Sequence, residues 1–242
     1  MRTIRRTKIV CTLGPAVDNR DAVRELLEAG MNVARFNFSH GTHDEHRERI
    51  ARLREVSREI GIPVALLLDT KGPEIRTGRL AGDDFEIAQG DRITITTDEV
   101  AGTPERVSIT YKKLPEEVGP GHHLYIADGL IDLEVESVDG NDVNCIVRSG
   151  GAMGSRKNVN IPGVRVQLPA ITEKDRQDIL FAINEGMDFI AASFIRKPGD
   201  VDQIQQILRE HESAIRVIAK IEDQEGLENI EEVVRISDGI MV

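Results

Sequence analysis

The chain has 242 residues, a formal net charge of −11 at pH 7 and a pI near 5.1, enough for one large α/β domain or two smaller ones. That acidic balance, with 3% aromatic residues and no Trp, excludes a general nucleic-acid binder, which needs a basic face and stacking platforms. A small anionic substrate stays open, because a local cluster of Arg and Lys sets the field in a cleft whatever the total charge.

The basic start, Met1 to Lys8, precedes too few apolar residues for a signal peptide or a membrane span. A cytoplasmic protein without membrane association is therefore expected. Lys8–Leu13 predicts a strand closed by Gly14-Pro15. Asp18 or Asn19 caps a helix with Val23, Leu26 and Leu27 inward, and Gly30 ends it. Val33–Ser39 is a second strand that turns polar into His40-Gly41. Thr42 with Glu45 makes a capping box for a helix carrying Ile50, Leu53, Val56 and Ile60 inward, stopped by Gly61 and Pro63. The apolar run from Val64 then ends in Asp69-Thr70-Lys71-Gly72-Pro73. Its pattern is that of a parallel strand buried on both faces, with charge at its rim.

From Gly72 to Pro169 the period changes from 3.6 to 2. Arg92–Thr97, Val107–Tyr111, His123–Ile126, Leu130–Val135 and Val143–Val147 all alternate, with Asp128-Gly129 and Asp139-Gly140 placed as hairpin turns. The α/β pattern resumes with a helix start at Thr172–Asp175 (Ile179, Leu180 and Ile183 inward) and a strand at Phe189–Ile195. A helix over Gly199–Glu212, a strand at Arg216–Glu222, a helix through Leu227, Ile230, Val233 and Val234, and an apolar run at Ile240–Val242 follow. The expected fold class is α/β: a (β/α)8 barrel of TIM type, cut after about six strands, with an all-β lid inserted after the third. The expected domain divisions are 1–71, 72–169 and 170–242.

Polar residues collect at four strand ends: Arg35, Asn37 and Ser39; Asp69 and Thr70; Ser193 and Phe194; Lys220 and Glu222. A barrel brings such ends to one mouth, although a single acid or lysine there is more often a cap or an ion pair. Lys220 and Glu222, two apart on one strand, face the same side. Such a pair suits a cation clamp on phosphate with a carboxylate for Mg²⁺ better than a buried structural bridge, which is costly. Asn37, Ser39, Asp69 and Thr70 are hard oxygen donors that suit a monovalent cation better than Zn²⁺. Gly150–Lys157 fails the spacing of a phosphate loop and is expected to be a flexible loop. His122 and His123 are expected to be exposed and without a role. Cys11 and Cys145 lie in strand-like runs and are expected to be reduced packing residues.

Lys8-Ile-Val-Cys-Thr-Leu-Gly-Pro15, Ala34-Arg-Phe-Asn-Phe-Ser-His-Gly41, Leu68-Asp-Thr-Lys-Gly-Pro-Glu-Ile-Arg-Thr-Gly78, Lys157-Asn-Val-Asn-Ile-Pro-Gly163 and Ile218-Ala-Lys-Ile-Glu222 together resemble the pyruvate kinase family. The resemblance runs to Ser237–Val242. It implies phosphoryl transfer between phosphoenolpyruvate and ADP, giving pyruvate and ATP in glycolysis, in a cytoplasmic homotetramer. By the same resemblance Arg35 binds the substrate phosphate and Lys220 steadies the transferring phosphoryl group. Asn37, Ser39, Asp69 and Thr70 hold K⁺, and Glu222 holds Mg²⁺. Asn37, His40, Arg76 and Lys157 contact the nucleotide. Thr70, Lys71, Glu74 and Thr77 match the K⁺-dependent pattern, in which Lys replaces Glu in independent members. The family's second Mg²⁺ carboxylate follows Met241-Val242, and later strands and a further domain carry other functions. The 242-residue chain as given is therefore expected to be inactive. Two rival expectations are another Mg²⁺-dependent phosphoenolpyruvate or pyruvate-enolate barrel enzyme, and a catalytically silent fragment that binds a ligand or partner.

Overall fold

A computed structural model describes residues 6–164 and 166–242, which form two compact units. One unit runs to Pro73 and resumes at Pro169; the other spans Glu74–Leu168.

In the first unit β1 (Val10–Thr12) leads through α1 (Arg20–Ala29) to β2 (Val33–Asn37), and α2 (His43–Ile60) leads to β3 (Ala65–Asp69). Local chemistry sets these boundaries. The Asn19 side chain accepts a hydrogen bond from the Ala22 amide, which decides the cap in favour of Asn19, and Gly30 closes α1 at φ 110°. Thr42 and Glu45 form the reciprocal capping box of α2.

The second unit contains β4 (Phe85–Ile87), β5 (Arg92–Thr96), β6 (Arg106–Ser108), one helical turn α3 (Leu114–Glu117), β7 (His123–Ile126), β8 (Ile131–Asp139), β9 (Asp142–Ser149), β10 (Gly151–Met153) and β11 (Val159–Asn160). Its main sheet runs β11-β7-β8-β9-β5-β6, with β10 and β4 paired apart. Burial alternates as the period of 2 requires: Ile131, Leu133 and Val135 of β8 and Val143, Cys145 and Val147 of β9 share one core. The turn between β8 and β9 is Gly140-Asn141, with Asp139 paired to Asp142. Gly140 sits at φ 56°, the left-handed first position that a two-residue hairpin of this kind demands.

Two expectations for this unit need correction. The Gly150–Lys157 stretch is not simply a loop, because Gly151–Met153 pairs antiparallel with Phe85–Ile87. Gly150 is required there, since a Cβ would lie 2.2 Å from the Ile87 carbonyl oxygen. His122 and His123 are half-buried rather than exposed. His122 accepts from the Gly119 amide, and His123 Nδ1 lies 2.7 Å from Asp132.

The first unit resumes with α4 (Glu173–Asn184), β12 (Phe189–Ala192), α5 (Pro198–Glu210), β13 (Arg216–Lys220), α6 (Gln224–Glu228), α7 (Ile230–Ile236) and β14 (Gly239–Met241). The last helical stretch is two helices, not one. Asn229 (φ −97°, ψ 10°) breaks it, so its apolar residues do not share one face. Val233 is buried, whereas Leu227 and Val234 are 62% and 51% exposed.

All neighbours in this unit's sheet are parallel, in the order β1-β2-β3-β12-β13-β14. Each strand lies beside the previous one in that unit's sequence, without the reversal of a doubly wound sheet, which is the β/α progression of a barrel. Successive side chains alternate faces. Ala34, Phe36, Leu66, Leu68, Ile190, Ala192, Val217 and Ala219 pack with Val23, Leu27, Ile50, Leu53, Val56, Ile179, Val201 and Ile204 of the helices. Arg35, Asn37, Asp69 and Lys220 occupy the alternate positions, on the opposite face of the same strands.

Candidate functional site

The parallel register carries these alternate residues to neighbouring strand ends. Thr12 pairs with Arg35, Asn37 with Asp69, and Asp69 with Ala191. Asp69 is the hub. Its Oδ2 accepts from Arg35 Nε at 2.6 Å and lies 2.6 Å from a terminal guanidinium nitrogen of Arg35. Its Oδ1 accepts from Lys220 Nζ at 3.2 Å. The remaining arm of Arg35 donates to Thr12 Oγ1 at 2.7 Å. Lys220 also donates to Ser193 Oγ at 2.8 Å and lies 3.2 Å from Glu222 Oε1. Exposure rises outward through the cluster: the Asp69 side chain is 2% exposed and Lys220 15%, Arg35 27%, and Glu222 32%.

Backbone groups fix the rim. The Phe194 amide donates to Glu222 Oε2 at 2.9 Å. Phe194 itself is held at φ 57°, a left-handed conformation that a bulky residue rarely adopts. Gly72 lies against it: a Cβ there would come within 2.9 Å of both the Phe194 ring and Ser193 Cβ, and the residue sits at φ 70°. Its amide donates to Asp175 Oδ1 at 3.0 Å. The Gly after Asp-Thr-Lys is thus needed for close approach as well as for the turn.

Beyond β2, Asn37 Oδ1 accepts from the Ser39 amide at 3.0 Å, and two side chains grip the carbonyls that follow. Lys174 Nζ donates to Phe38 O at 2.9 Å, and His46 Nε2 to His40 O at 2.9 Å. The His46 ring stacks on Phe38 with centroids 4.1 Å apart, and burial lowers its pKa below the ordinary value. His40 itself is exposed.

The structure therefore brings Arg35, Asp69, Lys220 and Glu222 into one cluster of hydrogen bonds and ion pairs, with Asn37, Ser39 and Thr70 at the adjoining strand ends. Arg76 and Lys157 belong to the second unit. The Glu74 carboxylate receives Arg76 through bonds of 2.7 and 2.9 Å, and Arg76 also donates to the Arg156 carbonyl; the carboxylate raises the guanidinium pKa. The Lys157 amide donates to Thr77 Oγ1, and its side chain covers Gly154 so closely that a Cβ there would meet Lys157 Cε at 2.4 Å. Sequence reasoning missed Thr12, whose role depends on strand register, and gave Ser193 no role although its strand end stood out.

The donor chemistry fits the implied cations. Among the described residues no group of three or more His, Cys, Asp or Glu is placed to hold a metal. Mg²⁺ needs no such group: it is bound through one or two carboxylates and completes its shell with water and substrate phosphate. Glu222, outermost of the cluster, suits that mode. Asn37, Ser39, Asp69 and Thr70 bring oxygen donors only, as a hard cation requires.

Comparison with known proteins gives consistent relatives. The family model described as the pyruvate kinase barrel domain matches residues 4–242. The chain is 51% identical over 241 residues to the pyruvate kinase of Geobacillus stearothermophilus, covering 98% of this chain and 41% of that protein. It is 49% identical to that of Staphylococcus aureus strain MRSA252, covering 99% and 41%. A crystal structure of a pyruvate kinase from Cryptosporidium parvum superposes with a TM-score of 0.93 at 40% identity, covering 98% of this chain and 50% of that one. The chain thus spans about two fifths of the length of these curated relatives.

Proposed function

This chain belongs to the pyruvate kinase family, and from that premise we propose that the protein transfers a phosphoryl group from phosphoenolpyruvate to ADP, giving pyruvate and ATP. The observation that carries the reading is the meeting of Arg35 from β2 and Lys220 from β13 on Asp69, beside Glu222. Phosphoryl transfer asks mainly for positioning and for compensation of charge on the equatorial oxygens. Arg35 presents a planar fork for the substrate phosphate. Lys220 supplies a compact ammonium to the phosphoryl group in flight and to the enolate oxygen left behind.

Charge balance explains why cations are needed as well. Arg35 and Lys220 are offset by Asp69 and Glu222, so the cluster has no net charge to offer an anion. Phosphoenolpyruvate carries an anionic phosphate and carboxylate, and must enter with positive charge. Mg²⁺ on Glu222 would supply Lewis acidity and K⁺ near Asn37, Ser39, Asp69 and Thr70 a further compensating charge. The protein's own part is to hold the cations' oxygens, orient the phosphate by Arg35 and keep Lys220 beside it. We assign Asn37, His40, Arg76 and Lys157 to the nucleotide, and infer a cytoplasmic homotetramer, all on the family resemblance.

The test is pyruvate formation from phosphoenolpyruvate and ADP with Mg²⁺ and K⁺, in a chain of the relatives' length. Stoichiometric ATP and pyruvate are expected. Pyruvate without ATP would replace the reading with another phosphoenolpyruvate chemistry.

A further inference from the structure

Ser193 touches both sides of the cluster that the proposed reaction divides between K⁺ and phosphate: Asp69 and Thr70 on one, Lys220 on the other. Its side chain is buried, with the residue 4% exposed. Its Oγ lies 2.7 Å from the Thr70 carbonyl oxygen, 3.3 Å from Asp69 Oδ1, and receives Lys220 Nζ at 2.8 Å. Its backbone amide donates to Thr70 Oγ1 at 3.0 Å. A hydroxyl has one proton. Two acceptors compete for it here, and the nearer one, Thr70 O, takes it. The lone pairs are then left for the Lys220 ammonium. Both oxygen atoms of Thr70 therefore face Ser193, whichever of them a monovalent cation uses.

Lys220 donates two hydrogen bonds, to Asp69 and Ser193, and forms an ion pair with Glu222 at 3.2 Å. The two carboxylates hold the ammonium back from a phosphoryl oxygen, and the Asp69 bond is the longer of its two hydrogen bonds. A monovalent cation beside Asp69 competes with Lys220 for the same carboxylate and repels it, which loosens the 3.2 Å bond. The Ser193 acceptor is uncharged, so a cation does not compete for it in that way. It remains as the tether.

We propose that Ser193 is a positioning residue that couples the monovalent-cation oxygens at the end of β3 to the Lys220 ammonium. Occupation of the cation site loosens the bond from Lys220 to Asp69, and Ser193 holds the ammonium in place while it turns to substrate. This rests on the reading of the site as one for phosphoryl transfer with K⁺.

The test is a double-mutant cycle of Ser193→Ala and Lys220→Met, read as the K⁺ concentration that gives half the maximal rise in Tm, with tetramethylammonium as the ionic-strength control. Ser193→Ala is expected to raise that concentration roughly three- to tenfold with Lys220 present, and much less in the Lys220→Met background, the range typical of coupling within one hydrogen-bond network. Ser193→Thr, which keeps the hydroxyl, is expected to restore the parent response; a Thr variant as weak as Ala would count against the hydroxyl's role. Equal effects of Ser193→Ala in both backgrounds would overturn the coupling and leave the phosphoryl-transfer reading standing. No K⁺ response in the parent would overturn both.

Discussion

The two units use the same charged residues in opposite ways. In the β unit the pairs are local and wet: Arg92 with Glu136, Arg148 with Glu134, and Arg106 with Asp98 and Asp142 lie across or along neighbouring strands. Arg92 is 76% exposed. Solvent screens such pairs, and they contribute little to stability. In the barrel unit Arg35 and Lys220 converge on the Asp69 carboxylate, which is 2% exposed, where every partner counts. The lesson is that an ion pair signals function when its members are buried, distant in sequence and gathered at strand ends.

Removing the mobile charge from the buried cluster should have the largest effect. Lys220→Met, in a chain of the relatives' length, is expected to lower kcat by about two to three orders of magnitude while KM for phosphoenolpyruvate changes little. Steady-state kinetics check this, and a variant with near-normal kcat would make Lys220 a structural residue.

Asp69→Ala follows. It leaves Arg35 and Lys220 without their shared counter-charge, and a loss of about 3 kcal/mol is expected, the low end for breaking a buried pair because Arg35 keeps some contact with water. Urea unfolding measures it. Arg92→Ala in the β unit, measured alongside, should leave the midpoint unchanged. Similar losses in both would erase the contrast between the units.

Glu74→Lys sharpens the comparison from the β unit's side. By the family resemblance a Lys at this position is expected to lessen the need for a monovalent cation, and the change also releases Arg76 from its carboxylate partner. A weaker K⁺ requirement is expected, read as the ratio of rates with and without K⁺. An unchanged ratio would remove Glu74 from the account.

The smallest effect concerns pH. Burial, the largest cause, holds the His46 pKa below its ordinary 6.5, outweighing the hydrogen bond to the His40 carbonyl and the charges of Asp178 and Glu45, which raise it, while Arg49 lowers it further. The unfolded chain therefore binds the proton more readily. His46's contribution to stability is fully present above about pH 6.5 and is lost as the pH falls from there toward the lowered value. Urea midpoints measured downward from pH 7.5 should fall less steeply in His46→Gln than in the parent. Cys145, whose thiol burial pushes up to about 12, adds no titration in this window.

Much of the barrel unit was legible because its signals are local. Thr42 with Glu45 and Gly30 after Ala29 set helix ends through bonds within a few residues. The alternation Ala34, Arg35, Phe36, Asn37 shows both faces of a strand at once. The polar strand ends could be collected from sequence because a parallel order brings them together. The partner choices within the cluster could not. Thr12 meets Arg35 through register, Phe194 meets Glu222 through a left-handed backbone, and Ser193 meets Lys220 across two strands. The break at Asn229 was equally hidden, because apolar spacing alone continues through it. In the β unit the alternation marked the strands, but the pairing of Gly151–Met153 with Phe85–Ile87 joins segments that no local pattern connects.

The central claim is that Arg35, Lys220, Asp69 and Glu222 form one cluster whose charges cancel, so that an anionic substrate binds only with added cations. Calorimetric titration of phosphoenolpyruvate, with and without Mg²⁺ and K⁺, tests it most directly. Saturable binding is expected with both cations present, and none in chelator with tetramethylammonium as the sole monovalent ion. Equal affinity in the two conditions would contradict the account.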